Sequence, residues 1–353
     1  MFQLLIKKLA YGVLVLAGVV VVVFFIFQAF GDPARMVLGQ TGDKKTMDNI
    51  RKELYLDQPK WKQFIFYLND ISPVAVHTRK EIKDKDLHGF FIGGTNPDNY
   101  CFTIKVPYLR RSYQTKKPVT TVLTEALPGT IMLATAAMFF AIIIGIFLGV
   151  LAAVKQNTWL DTSSVLASVV GISAPSFFMA IVIAYLFGLV LHDYTGLSLT
   201  GSWFNIDQVT GKRYLTLQNL ILPALTLGIR PLSIITQLTR SSMLDTLNQD
   251  YIRTAYAKGL SKRKVVFYHA LRNAINPVLT AITGWFAELL AGAFFVEYIF
   301  GWKGIGKVTV DALEKLDYPV VMGSVLFAAT IFVLMNIFAD ILYGIIDPRV
   351  KMK

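Results

Sequence analysis

The sequence predicts an all-α membrane protein with six transmembrane helices, both termini in the cytoplasm, and a mixed extracytoplasmic insertion after the first helix. Three observations carry this expectation. Of 353 residues, 54% are hydrophobic and only 16% charged, and the mean hydropathy is +0.52. The apolar residues concentrate in six runs, 9–30, 131–154, 163–191, 219–239, 278–299 and 319–346, each supplying roughly the 20 residues that cross a bilayer as a helix. With the N-terminus inside, the short inner connections (1–8, 155–162, 240–277 and 347–353) hold 13 Lys and Arg, against 5 in the outer ones (192–218 and 300–318). That asymmetry sets orientation.

The first run follows Lys7 and Lys8 and leads into "FQAFGDPA" without a small-residue cleavage site. Residues 1–30 therefore read as a short tail and an uncleaved anchor. Segment 31–120 is exported whatever its charge, because long loops translocate largely regardless of it. Within it, Met47, Ile50 and Leu54 recur at helical spacing, and Pro59 opens a second pattern of Trp61, Phe64, Ile65 and Leu68. Two short amphipathic helices are expected there. Residues 70–105 mix charges, glycines and "FFIGG" without a period, which predicts irregular or short β structure. Cys101, the single cysteine, reads as a free thiol with no catalytic role. Residues 121–346 form the membrane core, and 347–353 a cytoplasmic tail.

In the second run, Ala141, Gly145, Gly149 and Ala153 lie four apart, a stripe that lets another helix approach closely in lipid. Pro175 should kink the third helix, and Pro223 and Pro231 should distort the fourth. "GWKGIGKV" at 301–308 has the spacing of a phosphate-binding loop but lacks its Ser or Thr, its preceding strand and its context, so it reads as a turn. His77, His88, His192 and His269 show no ligand spacing, and neither a metal site nor an enzyme active site is expected. The net charge of +12 sits mainly beside membrane segments, which argues against nucleic acid as a partner. Arg230 and Glu288 fall midway along the fourth and fifth helices, at similar depth. They are either an interhelical ion pair that fixes packing or a polar lining of a translocation path. Glu297, Asn336 and Asp340 lie nearer helix ends and reach water more easily.

The connection 241–277 is distinctive. "SSMLDTLNQDYIRTAYAKGL" supports a first helix, Gly259 a break or C-cap, and "SKRKVVFYHALRNAINP" a second helix begun by Ser261 as N-cap. The second has Val265, Val266, Ala270 and Asn273 along one side, with Lys262, Arg263, Lys264 and Arg272 around the rest. Topology accounts for the basic residues but not for the glycine-split pattern, which wants a partner surface.

"QDYIRTAYAKGLSKRKVVFYHALRNAINPVLT" resembles the cytoplasmic signature loop of ATP-binding-cassette (ABC) importer permeases, in the form typical of the dipeptide, oligopeptide and nickel branch. "RKELYLDQP", "KPVTTVLTEALPGTI", "IGIFLGVLAA", "APSFF", "LPALTL", "LTRSSMLDTL", "VEYIFGWKGIG", "DYPVVMGSVL" and "DILYGIIDPR" follow the order of that family over nearly the whole chain apart from 70–105. In the wider family the loop begins Glu-Ala-Ala; here Arg253, Thr254 and Ala255 precede Gly259, as is usual in the peptide branch. The resemblance implies a type I ABC importer permease in a bacterial inner membrane. It also implies that the loop is a coupling helix seated in a separate ATPase subunit, carried by Asp250, Tyr251, Arg253, Thr254, Ala255, Lys258, Gly259, Leu260, Arg263, His269 and Arg272. The partners it implies are a second homologous permease, two ABC ATPase subunits, an extracytoplasmic solute-binding protein, a peptide substrate and membrane lipid. No cofactor is expected on this chain, with ATP and Mg held by the ATPases. Open alternatives are an ion-gradient-driven secondary transporter using Arg230 and Glu288, a membrane scaffold or sensor that transports nothing, or the same family with nickel or glutathione as solute.

Overall fold

The structure, a computed structural model, describes residues 2–29, 51, 55–93, 96–206, 213–291 and 293–346. The helix expected around Met47, Ile50 and Leu54 and the tail 347–353 lie outside the described residues. The chain divides into two compact units, Val13–Glu125 with Val308–Ala329, and Met1–Gly12 with Ala126–Lys307 and Thr330–Lys353.

In the first unit, the apolar helix α1 (Phe2–Ala29, its first turns counted with the second unit) precedes α2 (Lys60–Ile71), β1 (Val74–Thr78), α3 (Arg79–Asp84), β2 (Gly89–Ile92) and β3 (Tyr100–Lys105). The strands pair antiparallel in the order β1-β3-β2, with Val76 and Ile92 both opposite Phe102. Thr78 closes a capping box on α3: Glu81 N donates to Thr78 Oγ1, and Thr78 N donates to the Glu81 carboxylate. Cys101 is fully buried among Ile82 and Leu87. The helix announced by Pro59 is present, but its inward face is not the apolar one. Gln63, Tyr67 and Asp70 are buried while Trp61, Ile65 and Leu68 face outward. Polar partners decide this orientation. Gln28 Nε2 donates to Gln63 Oε1, and Lys85 Nζ donates to the Asp70 carboxylate at 2.5 Å.

The second unit begins within α4 (Val119–Val154) and continues through α5 (Trp159–Ser173), α6 (Ser176–Tyr185), a π-helical turn at Leu186–Val190 and α7 (His192–Thr195). The short pair β4 (Phe204–Ile206) and β5 (Arg213–Leu215) leads to α8 (Ile221–Leu247), α9 (Asp250–Ala257) and α10 (Lys262–Ala291), which is π-helical over Val265–Ala270. Then comes α11 (Phe294–Ile299); α12 (Ile305–Glu314) passes into the first unit after Lys307, and α13 (Tyr318–Ile346) belongs to the second unit from Thr330 onward.

Among the described residues, five helices are long and apolar enough to cross a membrane: Ile6–Gln28, Val119–Val154, Leu217–Leu247, Lys262–Ala291 and Tyr318–Ile341. A sixth span exists if α5 and the helix after it count as one, bent by 110° between Ser173 and Ser176. The expected kink at Pro175 is thus a full break. Pro175 brings no N–H to the helix ladder and holds Ala174 in extended backbone (φ −73, ψ 129). Two further boundaries differ from expectation. The second helix of the 241–277 loop and the fifth span are one continuous helix, α10, and 294–299 is a separate short helix.

Packing between α4 and α8 follows the small-residue stripe. A Cβ on Gly149 would lie 2.5 Å from Thr239 Cβ and 2.7 Å from Thr236 O, so only glycine permits this approach. Next to it, Leu133, Ala137 and Ala141 of α4 join Ile235 of α8, Val278 of α10 and Trp302 in one buried cluster.

Candidate functional site

Helix α9 is amphipathic, and its apolar side decides where it sits. Ile252 and Ala255 are buried in a cluster with Val150 and Ala153 of α4, Met243 of α8, and Val265, Val266, Ala270 and Ala274 of α10. The short helix is therefore seated on the ends of three membrane-capable helices. Its end is set by Gly259, at φ +76. Gly259 N donates to Tyr256 O (2.9 Å) and Leu260 N to Ala255 O (3.3 Å), the paired bonds of a Schellman cap. Leu260 packs back on the cluster that holds Ala255. A Cβ at Gly259 would meet open space, so the demand for glycine comes from backbone conformation and not from crowding.

The opposite side of α9 is exposed. It presents Asp250, Tyr251, Arg253, Thr254 and Lys258, with a loose Arg253–Asp250 ion pair at 3.4 Å. Asn273 Nδ2 donates to Tyr251 Oη (3.0 Å) and also to His269 O (3.0 Å), tying α9 to α10. Of the eleven residues named from the loop, ten lie on α9, its cap, or the turns of α10 at His269 and Arg272. Ala255 and Leu260 belong to its apolar seat. Arg263 stands apart: it borders an apolar groove between α4 and α10.

Arg230 and Glu288 come together in a different place. Both are exposed, and both line a cavity of about 140 Å³ that also includes Ala174, Ser176, Thr226 and Trp285. Among the described residues they form no ion pair with each other; Arg230 instead stacks over the Trp285 ring at 5.4 Å. The cavity lies at the break between α5 and α6, lined there by Ala174 and Ser176.

Two charged arrangements escaped the sequence reading. Glu297, expected near water, is completely buried. Thr130 Oγ1 donates to one carboxylate oxygen at 2.8 Å, while Gly306 N and Lys307 N donate to the other at 2.7 and 3.2 Å. Its carboxyl satisfies the start of α12 as a cap supplied from another helix. The signal was present in "VEYIFGWKGIG", a glutamate followed by a turn and a helix start. The second arrangement is Arg240 of α8 with Asp161 of α5, a two-point contact at 2.5 and 2.8 Å. No spacing rule links residues 79 apart in sequence.

The fold and its seated helix define a helical integral membrane protein whose membrane core carries an amphipathic helix at one end. Comparison with known proteins gives the family. Residues 145–352 match the family of binding-protein-dependent transport system inner membrane components, and residues 1–83 match the N-terminal region of such membrane components. A dipeptide transport system permease protein of Alkalihalophilus pseudofirmus is 34% identical over 98% of both chains. The Escherichia coli dipeptide permease is 33% identical over the full length of both, and that of Haemophilus influenzae is 42% identical over 68% of this chain and 76% of its own. A solved structure of the MetNI methionine ABC transporter, 16% identical, aligns with a TM-score of 0.50 over 65% of this chain and 97% of that one, a likeness of fold. The chain belongs to the family of binding-protein-dependent transport system inner membrane components, as an ABC importer permease of its dipeptide and oligopeptide branch.

Proposed function

We propose that the chain forms half of the translocation path of an ATP-driven importer of di- or oligopeptides. In this reading it pairs with a second homologous permease, two ATPase subunits bind the cytoplasmic face, and an external binding protein delivers the peptide. The observation that carries the coupling role is the seating of α9. Its apolar side is fixed on three membrane helices and its polar side is left exposed, so a push on that side moves the membrane helices as a rigid body. The relatives named as dipeptide permeases support the substrate class.

The orientation follows from charge. Both termini and the α8–α10 connection are cytoplasmic, α5 with α6 is the third of six spans, and 31–120 faces outward as a separate insertion. Arg230 and Glu288 line the path, where they meet the charged ends of a peptide. This chain hydrolyses nothing and binds no cofactor of its own; ATP and Mg belong to the ATPases.

Reconstitution of the full complex in vesicles tests the proposal. Labelled dipeptide uptake should require both ATP inside and the binding protein outside. Uptake driven by an ion gradient without ATP would overturn it.

A further inference from the structure

The apolar groove between α4 and α10 adjoins the seat of α9, sharing Val150 and Val266 with it, and takes in Arg263. It has a volume of about 600 Å³ and is walled on one side by Ile142, Ile143, Ile146, Phe147, Val150 and Val154. Val266 and Phe267 wall the other side, with Lys262 and Arg263 lining it one turn earlier on the same helix. No acidic residue borders it. Lys262 and Arg263 precede Val266 and Phe267 by four residues, the spacing that places side chains one above another on a helix. Both are exposed and, among the described residues, neither has an ion-pair partner. Phe147 and Ile143 point outward, at 63% and 53% exposure.

We propose that this groove binds a phospholipid with an anionic headgroup, its phosphate held by Lys262 and Arg263 and an acyl chain lying along α4. The dimensions agree. From Ile142 to Val154, α4 rises about 18 Å, close to the hydrocarbon thickness of one leaflet, roughly 15 Å. The cations therefore stand at headgroup level while the apolar wall runs down into the chains. Basic residues at the mouth of a groove between membrane helices are the physical basis of anionic-lipid selection. Charge complementarity favours lipid over protein as occupant. An apolar helix from a partner subunit would cover the wall but leave two cations without counter-charge, whereas an anionic lipid satisfies both. Arg263 then serves the groove and is not part of the ATPase contact.

Native mass spectrometry of the purified full complex, released from nanodiscs of equal phosphatidylglycerol and phosphatidylethanolamine, tests the assignment. The wild type should retain phosphatidylglycerol in clear preference, and a Lys262→Gln/Arg263→Gln variant should lower that preference about tenfold. A Ile143→Trp variant, which fills the wall and leaves the cations in place, should reduce retention of both lipids. A photo-crosslinker at Phe147 should label lipid. Equal retention of the two lipids by the wild type, an unchanged preference in the double glutamine variant, or capture of a protein chain at Phe147 would overturn the assignment. None of these readouts depends on peptide transport, so the result is independent of the proposed coupling role.

Discussion

Arg240 grips Asp161 with two parallel contacts, Nε to one carboxylate oxygen at 2.5 Å and Nη2 to the other at 2.8 Å. Asn157 N also donates to the same carboxylate (3.0 Å), so Asp161 pins the α4–α5 turn as well as α8. Arg240 lies on α8 before α9, and the pair holds the start of α5 against the helix that leads into α9. Such a fork is both geometrically specific and stronger than a neutral hydrogen bond. Arg240→Ala should destabilise the protein by about 1.5–3 kcal/mol. Arg240→Lys should recover only part of this, because lysine cannot make the two-point contact. Thermal melting of the complex checks both, and the Asp161→Asn/Arg240→Ala double variant should cost less than the sum of the single ones.

Gly259 offers a sharper test than its position in a motif suggested. The sequence places a break or C-cap there. The geometry attributes the demand to φ +76 in open space. Uptake should therefore follow backbone tolerance. Gly259→Asn should keep most activity, since asparagine adopts this conformation most readily after glycine, whereas Gly259→Val should lose it at a cost of about 1–2 kcal/mol in the cap. If ATP-dependent uptake fell in step with side-chain volume instead, with asparagine worse than alanine, crowding by a partner would be the cause.

Glu288→Gln and Arg230→Gln should each change uptake of charged peptides by about tenfold, the scale of about 1.4 kcal/mol, while leaving assembly intact. The reason is that neither is buried or paired with the other, so neither substitution strands a partner. Size-exclusion chromatography of the complex beside uptake assays with differently charged dipeptides reads both quantities. Loss of assembly would return these residues to a packing role.

Glu297 should behave in the opposite way. Glu297→Ala leaves Thr130, Gly306 N and Lys307 N facing a dry void, and each unsatisfied donor costs about 1–3 kcal/mol. Glu297→Gln should be intermediate, because its amide turns a donor toward other donors. Melting temperatures of the purified complex should rank wild type above Gln above Ala.

A pH dependence is expected in the first unit. Lys105 is almost fully buried and donates to Asp70 O, and burial pushes its ammonium down to about 8 from an ordinary value near 10.5. Between those values the unfolded chain binds more protons than the folded one, so stability rises with pH across that interval and is flat below it. The difference in melting temperature between wild type and Lys105→Met, followed from pH 7 to pH 10, should shift in favour of wild type as pH rises.

Much of the architecture was legible because lipid imposes long apolar helices, and the length of an apolar run finds those. The break at Gly259 was legible for a related reason: a glycine dividing two amphipathic stretches leaves a local trace. Pro175 signalled a disturbance but not its size, since whether a proline kinks or breaks a helix depends on what the freed backbone borders, here a cavity. The face of α2 was misjudged because Gln63 and Asp70 are held by Gln28 and Lys85, partners remote in sequence. Glu297 and Asp161 were hidden for that reason too. Their cost of burial is met by donors that only the folded chain assembles.

Helix α10 carries Ala274 in the seat of α9 and Glu288 at the polar cavity. These positions are separated by about 21 Å of helical rise. A tilt of about 10° pivoting at the first carries the second through nearly 4 Å, about the width of a peptide backbone. If the proposed function holds, the same rod is a lever arm: small displacements delivered at the α9 seat become a change of bore at the cavity, with no need for any residue between them to alter its conformation.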